Sequence, residues 1–286
     1  MTSRADLAAA FRRLHSPQKG DILVLPNAWD ALSARVIEQA GARAIATTSA
    51  GVSWALGRQD GQAVTRADMI AAVRRIAEAV RVPVTADIES GYGSGSPEDV
   101  GATVRGVVEV GAVGINLEDA PGRGGESLLR PEEHAARIAA ARAAGGPELF
   151  INARVDVYLR EIGAESGRFD ETIRRARAYT AAGADGVFVP GVVDASTIAR
   201  LVEAIGAPVN IMASYGAPSV AELADLGVAR VSVGPAITRA AMATIRAAAR
   251  ELLETGTYDG LVGGVPFAEA NALFMSPHPP SGPAGR

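Results

Sequence analysis

Between Asp21 and Gly256 the chain repeats one unit eight times: a short, nearly continuous apolar run followed by a longer stretch with apolar residues every three or four positions. The runs are ILVLP (22–26), ARAIATT (42–48), VPVTADI (82–88), AVGINL (112–117), LFINA (149–153), GVFVP (186–190), PVNIMA (208–213) and ARVSVG (229–234). They are rich in β-branched residues and apolar almost throughout, as parallel strands covered on both faces are. The intervening stretches, 30–40, 65–80, 96–110, 130–144, 169–182, 194–205, 219–226 and 238–254, have helical periodicity. Several open on good caps: Thr65 with Asp68 three residues on, Ser96 before Pro97, and Ser219 before Val220. Glycines in Ala-Gly-Ala, Val-Gly-Ala or Leu-Gly-Val elements at 40–42, 110–112, 182–184 and 226–228 end helices and lead directly into the next strand. The runs begin 20–40 residues apart, about 30 on average, the length of a βα crossover unit. Eight such units predict an α/β fold of the closed (β/α)8 TIM-barrel type.

An open, doubly wound sheet is the competing architecture. The string Gly91-Tyr92-Gly93-Ser94-Gly95-Ser96 nearly imitates a dinucleotide-binding loop, but Ser96 occupies the place of its last glycine. The string also follows two acids that would repel a pyrophosphate. The barrel is therefore preferred, as one domain over residues 1–256 with an additional N-terminal helix over 3–14. Residues 257–286 form a helical C-terminal extension. Its apolar residues Leu261, Val262, Val265, Phe267, Leu273 and Phe274 exceed what a loose tail exposes, which predicts packing on a second subunit. The last ten or so residues, rich in Pro and Gly, are expected to fray.

Of the 286 residues 48% are hydrophobic and 21% charged, ordinary for a globular protein with a large core. A net charge of -4 offers no basic field for nucleic acid, so an acidic ligand must be met by local arginines or a cation. The absence of cysteine excludes disulfides, thiolate metal sites and cysteine nucleophiles together. Arg4, Asp6, Arg12 and Arg13 interrupt the N-terminal segment, unlike a signal peptide, and no apolar stretch reaches the ~20 residues of a membrane span. A soluble, cytoplasmic protein without membrane or nucleic-acid partners is expected.

Function is written at the strand ends. Three of them read Asp87-Ile88-Glu89, Leu117-Glu118-Asp119 and Asn152-Ala153-Arg154. Ionisable groups directly after apolar runs belong at the rim of the sheet, where barrels build their sites. Residues two apart point the same way, so Asp87 and Glu89 both face the mouth, with Glu118 on the next strand and Arg154 on the one after. Such hard oxygen donors suit Mg2+ or Mn2+. Arg154 is placed to hold a substrate carboxylate in a bidentate way. Thr48-Ser49-Ala50-Gly51 presents backbone amides suited to an anion, and Asp60 stands between Gly57 and Gly61 near the same rim. The structural alternative is that these acids cap helices or pair with rim arginines. His15, His134 and His278 all fall away from the strand ends, and Tyr92, Tyr158 and Tyr215 lie near the mouth.

At these residues the chain resembles the isocitrate lyase/phosphoenolpyruvate mutase superfamily. The passages that carry it are LPNAWDALSARVIEQAGARAIATTSAG, GRQDG, VPVTADIESGYG, GINLEDA and INARVDVYL. The resemblance implies a Mg2+-dependent barrel acting on 2-oxo acids through an enolate. It further implies that Asp87, Glu89 and Glu118 serve the metal, with Asp60 another acid of its shell. Ser49, Ala50 and Gly51 are implied to hold the substrate, and Arg154 its carboxylate. Dimers or tetramers that exchange terminal helices are implied as well.

One loop departs from that pattern. Isocitrate and methylisocitrate lyases carry Lys-x-Cys-Gly-His after the fourth strand, and the phosphonate-acting members carry Lys and Asn-Ser. Here the stretch is Pro121-Gly122-Arg123-Gly124-Gly125-Glu126-Ser127, and Pro190-Gly191 replaces the acid that the lyases place after strand six. Arg123, Glu126 and Ser127 are the candidates for a substitute function, or the loop is a lid without chemistry. The expected activity is cleavage of a C–C bond in a small 2-oxo or 2-hydroxy dicarboxylic acid. Cleavage of a C–P bond and a non-catalytic binder of metal and diacid are the alternatives.

Overall fold

The computed structural model describes residues 3–16, 21–122 and 127–275. Nine short parallel strands form one sheet: β1 (Leu23–Leu25), β2 (Asn27–Ala28), β3 (Ile45–Thr47), β4 (Val84–Asp87), β5 (Gly114–Glu118), β6 (Phe150–Arg154), β7 (Gly186–Val189), β8 (Val209–Met212) and β9 (Arg230–Ser232). Their order, β1-β9-β8-β7-β6-β5-β4-β3-β2, brings the two ends of the sheet to adjacent segments of chain. β1 pairs with β9 (Leu25 with Ser232), whereas β2 pairs with β3 (Asn27 with Ala46). β1 and β2 are thus the two halves of the first barrel strand, parted at Pro26, which has no N–H to give to a ladder. The eight expected strands are all present, and the structure is a (β/α)8 barrel.

The crossover helices follow the sequence pattern. They are α2 (Ala31–Gln39), α4 (Arg66–Ala79), α5 (Pro97–Glu109), α6 (Pro131–Gly145), α7 (Glu165–Ala181), α8 (Ala195–Ile205), α9 (Val220–Asp225) and α10 (Ala236–Glu254). Thr65 and Ser219 close reciprocal capping boxes with Asp68 and Glu222, and Ser96 caps α5 with Pro97 at its first position. The short α3 (Ser49–Ala55) falls where only an amide-presenting turn was expected. It is too short to be stable alone; Thr48 caps it, and a Cβ at Gly51 would lie 2.7–2.8 Å from Thr238, Thr48 and Trp29. Tertiary packing, not periodicity, makes that helix.

The N-terminal helix, α1 (Arg4–Leu14), opens on a Ser3–Asp6 capping box. Its Phe11 meets Phe150 edge-on at 5.7 Å, and His15 stacks on Phe150 at 3.8 Å. With Leu23, Leu25, Val113 and Phe150 this cluster covers the end where the strands begin. A chain sealed at that end is left with the carboxyl ends of its strands as the open face.

Packing divides the chain into two compact units, Met1–Thr238 and Arg239–Arg286, a boundary earlier than residue 256. The second unit carries most of α10, a 3-10 turn (Asp259–Leu261) and α11 (Phe267–Ala272). No helix among the described residues is long and apolar enough to cross a membrane. The expected fraying tail beyond residue 275 lies outside the described residues.

Candidate active site

Strand register places the acids on one rim. Asp87 pairs with Asn116, and Glu118 pairs with Arg154. Alternation then sends Asn116 and Glu118 from β5, and Asn152 and Arg154 from β6, to the same face of the sheet. A cavity of about 370 Å³ opens there, lined by Gln59, Asp60, Gly61, Glu89, Glu118, Pro121, Gly122 and Arg160. Three of its walls are carboxylates. Asp87 is held tightly at the strand end: its own N–H donates to Thr47 Oγ1 at 2.8 Å, and its Oδ2 accepts the Ser49 N–H at 3.1 Å.

The segment after β4 takes backbone conformations that non-glycine residues rarely adopt, with φ of +51° at Glu89 and +60° at Tyr92. Such strain persists where the surroundings over-determine it, and it clusters at functional sites. It folds Glu89 back into a nearly closed position, 4% exposed, where Tyr92 donates its hydroxyl to Oε1 at 2.9 Å. Burial first, then the charges of Asp87 and Asp60, push the Glu89 carboxyl up to about 7. Burial likewise raises Asp60, with Asp87 adding to it, while the Gly61 N–H and the Ser49 side chain pull the other way. Tyr92 is pushed well above the usual tyrosine range, again chiefly by burial and then by Glu89, so it stays a donor.

Glu118 and Arg154 do not stand free. Glu118 Oε2 lies 2.7 Å from Arg154 Nη1. The other side of the guanidinium grips Asp156 through Nε at 2.6 Å and Nη2 at 3.0 Å. Burial outweighs Arg154 at Glu118 and pushes its carboxyl upward. Against the burial that would lower it, Arg154 is held above its ordinary range by Glu118 and Asp156. The arginine expected to wait for a substrate carboxylate therefore already holds two carboxylates of its own chain. Two of the three expected anion-binding amides are also engaged: Ser49 N–H by Asp87, and Gly51 N–H by Thr48 Oγ1 at 3.5 Å.

Asp87 raises the proton affinity of Asp60, Glu89 and Glu118, Asp60 adds to that of Glu89, and Glu89 to that of Glu118. Among the described residues, however, no three acids or histidines converge into a finished metal-ligand set. The donor chemistry fits a hard divalent ion. Mg2+ commonly takes one or two protein carboxylates and keeps several waters, so a finished cage is not required, and a cation would relieve the repulsion among these acids. Asp87, Glu89 and Glu118 are the residues that would hold it.

Several neighbours escaped the sequence reading. Asp156 is buried, and its N–H donates to Asp119 Oδ1 at 2.9 Å. Asp119 turns away from the mouth and accepts from Arg175 Nη1 at 3.0 Å and from the Tyr179 hydroxyl at 2.8 Å. Beneath the acids lies an amide layer, in which Asn152 Nδ2 donates to Asn116 Oδ1 at 2.9 Å and to Asn210 Oδ1 at 3.1 Å. Arg230, 1% exposed, reaches Asn116 Oδ1 from Nη2 at 3.3 Å. The available signal was an asparagine inside each of three apolar runs, at positions 116, 152 and 210, with Asn27 directly after a fourth.

The remaining candidates separate from the site. Burial first lowers both His15 and His134 to about 3, so neither acts as a base at neutral pH. Tyr215 is fully exposed and Tyr158 half-buried. Ser127 is exposed, whereas Arg123, Glu126 and His278 lie outside the described residues.

A closed parallel barrel with an acid-lined cavity at the carboxyl ends of β4 and β5 defines a class of small-molecule sites, and comparison with known proteins narrows it. The sequence model of the phosphoenolpyruvate phosphomutase family matches residues 11–253, so the chain belongs to that family, within the isocitrate lyase/phosphoenolpyruvate mutase superfamily. It is similar to a crystal structure of a putative phosphonomutase from Burkholderia cenocepacia, 45% identical over 89% of this chain and all of that one, with a TM-score of 0.81. An oxaloacetate decarboxylase of Ectopseudomonas mendocina is 32% identical over 84% of this chain and 82% of its own. A phosphonopyruvate hydrolase solved with oxalate and Mg2+ is 26% identical over 93% and 94% of the two chains, with a TM-score of 0.82. Lyases and phosphonate-acting enzymes both occur among the relatives.

Proposed function

We propose that this protein is a Mg2+-dependent lyase, with Mn2+ as a substitute metal, that cleaves a C–C bond in a small 2-oxo or 2-hydroxy dicarboxylic acid through an enolate. The observation that carries the reading is the rim cluster in which Asp60, Glu89 and Glu118 line one cavity, Asp87 stands close enough to act on all three, and Arg154 pairs with Glu118. When bound, the metal would supply positive charge where an enolate oxygen develops. Ser49 and Thr47 fix Asp87 through its carboxylate and its N–H. Glu89, held by Tyr92, and Glu118, held by Arg154, present the remaining oxygens. A substrate carboxylate arriving at Arg154 displaces Glu118 from Nη1 while Asp156 keeps the guanidinium in place, so substrate entry frees an acid at the cavity wall. Ser49, Ala50 and Gly51 are proposed to hold the substrate, beside Asp87, which accepts the Ser49 N–H.

No cysteine is present to protonate the departing fragment as the loop cysteine of isocitrate-cleaving relatives does. A positioned acid is typically worth about 10²–10⁴-fold in rate, so isocitrate and methylisocitrate are poor substrates, and 2-oxo diacids whose enolate accepts a proton from water are favoured. The likeness to oxaloacetate decarboxylase supports that preference. A C–P bond substrate is the second reading, favoured by the family model and by the putative phosphonomutase. Metal-dependent release of pyruvate or glyoxylate from a panel of diacids, run beside phosphonopyruvate and phosphoenolpyruvate, tests both. Metal binding without turnover of any of them would leave a non-catalytic binder.

The working form is proposed to be a homo-oligomer, a dimer or tetramer with exchanged C-terminal helices. Its support lies in the second unit, where Leu253 is 86% and Phe267 83% exposed, with Ile245, Val262 and Met275 also open to solvent.

A further inference from the structure

A buried guanidinium without a carboxylate to pair with is costly to keep, and the barrel keeps one below its acids. Arg230 on β9 is 1% exposed. Around the sheet the strands run β9-β8-β7-β6-β5, so β5 stands half a turn of the barrel away from β9. Arg230 Nη2 nonetheless reaches Asn116 Oδ1 on β5 at 3.3 Å. The side chain therefore crosses the interior and carries its charge inside the barrel, not in its wall.

Nothing beside it cancels that charge. Among the described residues no group accepts from Nε or Nη1, and no acid forms an ion pair with the guanidinium. His15, held at about 3 by burial first and by Arg230 second, is neutral. Burial lowers Arg230 to about 9, with Asp87 pulling the other way, so it stays charged at neutral pH. Asn116 stands between the two charges: its oxygen accepts from Arg230, and its Cα pairs in register with Asp87. Asn152 Nδ2 donates to that same oxygen, which fixes the spacer in place. An amide has no net charge, so what crosses the layer is the field of the guanidinium, stronger in a dry interior than in water.

We infer that Arg230 tunes the metal site by charge, opposing a bare divalent cation above the amide layer and favouring the dianion that joins it. The inference rests on the proposed metal site at Asp87, Glu89 and Glu118, and concerns how tightly each partner is held there. Two positive charges on the metal are repelled, and two negative charges on a small diacid are attracted by a similar amount. The metal and dianion together are neutral, so Arg230 discourages the half-filled site and leaves the filled one undisturbed. Damage to the amide layer would act differently, weakening both partners.

Calorimetry with Mg2+ alone, then with oxalate at saturating Mg2+, separates the two cases. Arg230→Gln should tighten Mg2+ roughly 10–100-fold and weaken oxalate by a similar factor. Arg230→Met, which also gives up the bond to Asn116, should show the same opposed shifts and serves if the Gln variant does not fold. Arg230→Lys keeps the charge and should leave both constants within about threefold of native. Weaker binding of both partners in the neutral variants overturns the inference and makes Arg230 a support of the layer. Unchanged constants overturn it too, as do equal shifts in Arg230→Lys and Arg230→Gln. A native protein that binds neither Mg2+ nor oxalate would instead remove the proposed metal site, and this inference with it.

Discussion

Glu89→Gln is the most informative single substitution, because it separates what a buried carboxylate costs the fold from what it gives the site. In the folded protein the Glu89 carboxyl is pushed from an ordinary 4.5 up to about 7, by burial first and then by Asp87 and Asp60. Between those two values the folded chain keeps a proton that the unfolded chain has released. Folding stability therefore falls as pH rises from 4.5 to about 7, and levels off above. At about 1.4 kcal/mol per tenfold change in proton affinity, the cost above pH 7 is about 3 kcal/mol. Glutamine has the same shape, carries no charge and still offers an oxygen to the Tyr92 hydroxyl, so the strained loop keeps its anchor. Urea unfolding in a chelator should find Glu89→Gln more stable than the native protein by about 3 kcal/mol at pH 8 and nearly equal to it at pH 4.5. Saturating Mg2+ should narrow or reverse the gap at pH 8, since the native site, with its third carboxylate, gains more from binding. Equal stability of the two proteins at pH 8 without metal would refute the argument that Glu89 is a desolvated, repelled carboxylate.

Asp87→Ala should abolish tight Mg2+ binding in calorimetry while the barrel still folds. Its carboxylate supports the structure by accepting from the Ser49 N–H and, at 3.4 Å, from the Glu89 N–H, and a hydrogen bond to a charged group contributes about 1.5–3 kcal/mol. Arg175→Met should destabilise the protein by roughly 3–5 kcal/mol in urea at unchanged slope, because it strands the buried Asp119 with Tyr179 as its remaining side-chain partner. Light scattering at micromolar concentration should return the mass of a dimer or larger; a monomer would refute the proposed exchange of C-terminal helices.

The parallel barrel was legible because its strands are buried on both faces and its helices are capped by residues that can do little else. The rim acids were legible for a related reason: a charge directly after an apolar run has to stand at an edge. The asparagines at 116, 152 and 210 were open to the same logic, as polar groups in apolar strands that must find partners, and they find one another. The pairing of Arg154 was legible only as one alternative, that the rim acids pair with rim arginines. Sequence placed it opposite Glu118, but whether a guanidinium faces solvent or closes on a neighbour depends on side-chain geometry across two strands and the turn to Asp156.

By itself, then, the sequence determined the (β/α)8 architecture and the acids at the ends of its strands, since periodicity, capping and the cost of burying charge are local properties. Tertiary structure alone decided how those charges are shared. It made a helix of Ser49–Ala55 by cramming Gly51 against Trp29 and Thr238. It also drew Arg230 across the barrel to Asn116, beneath the acids. Contacts between residues far apart in the chain fixed these features, and no window of sequence contains both partners.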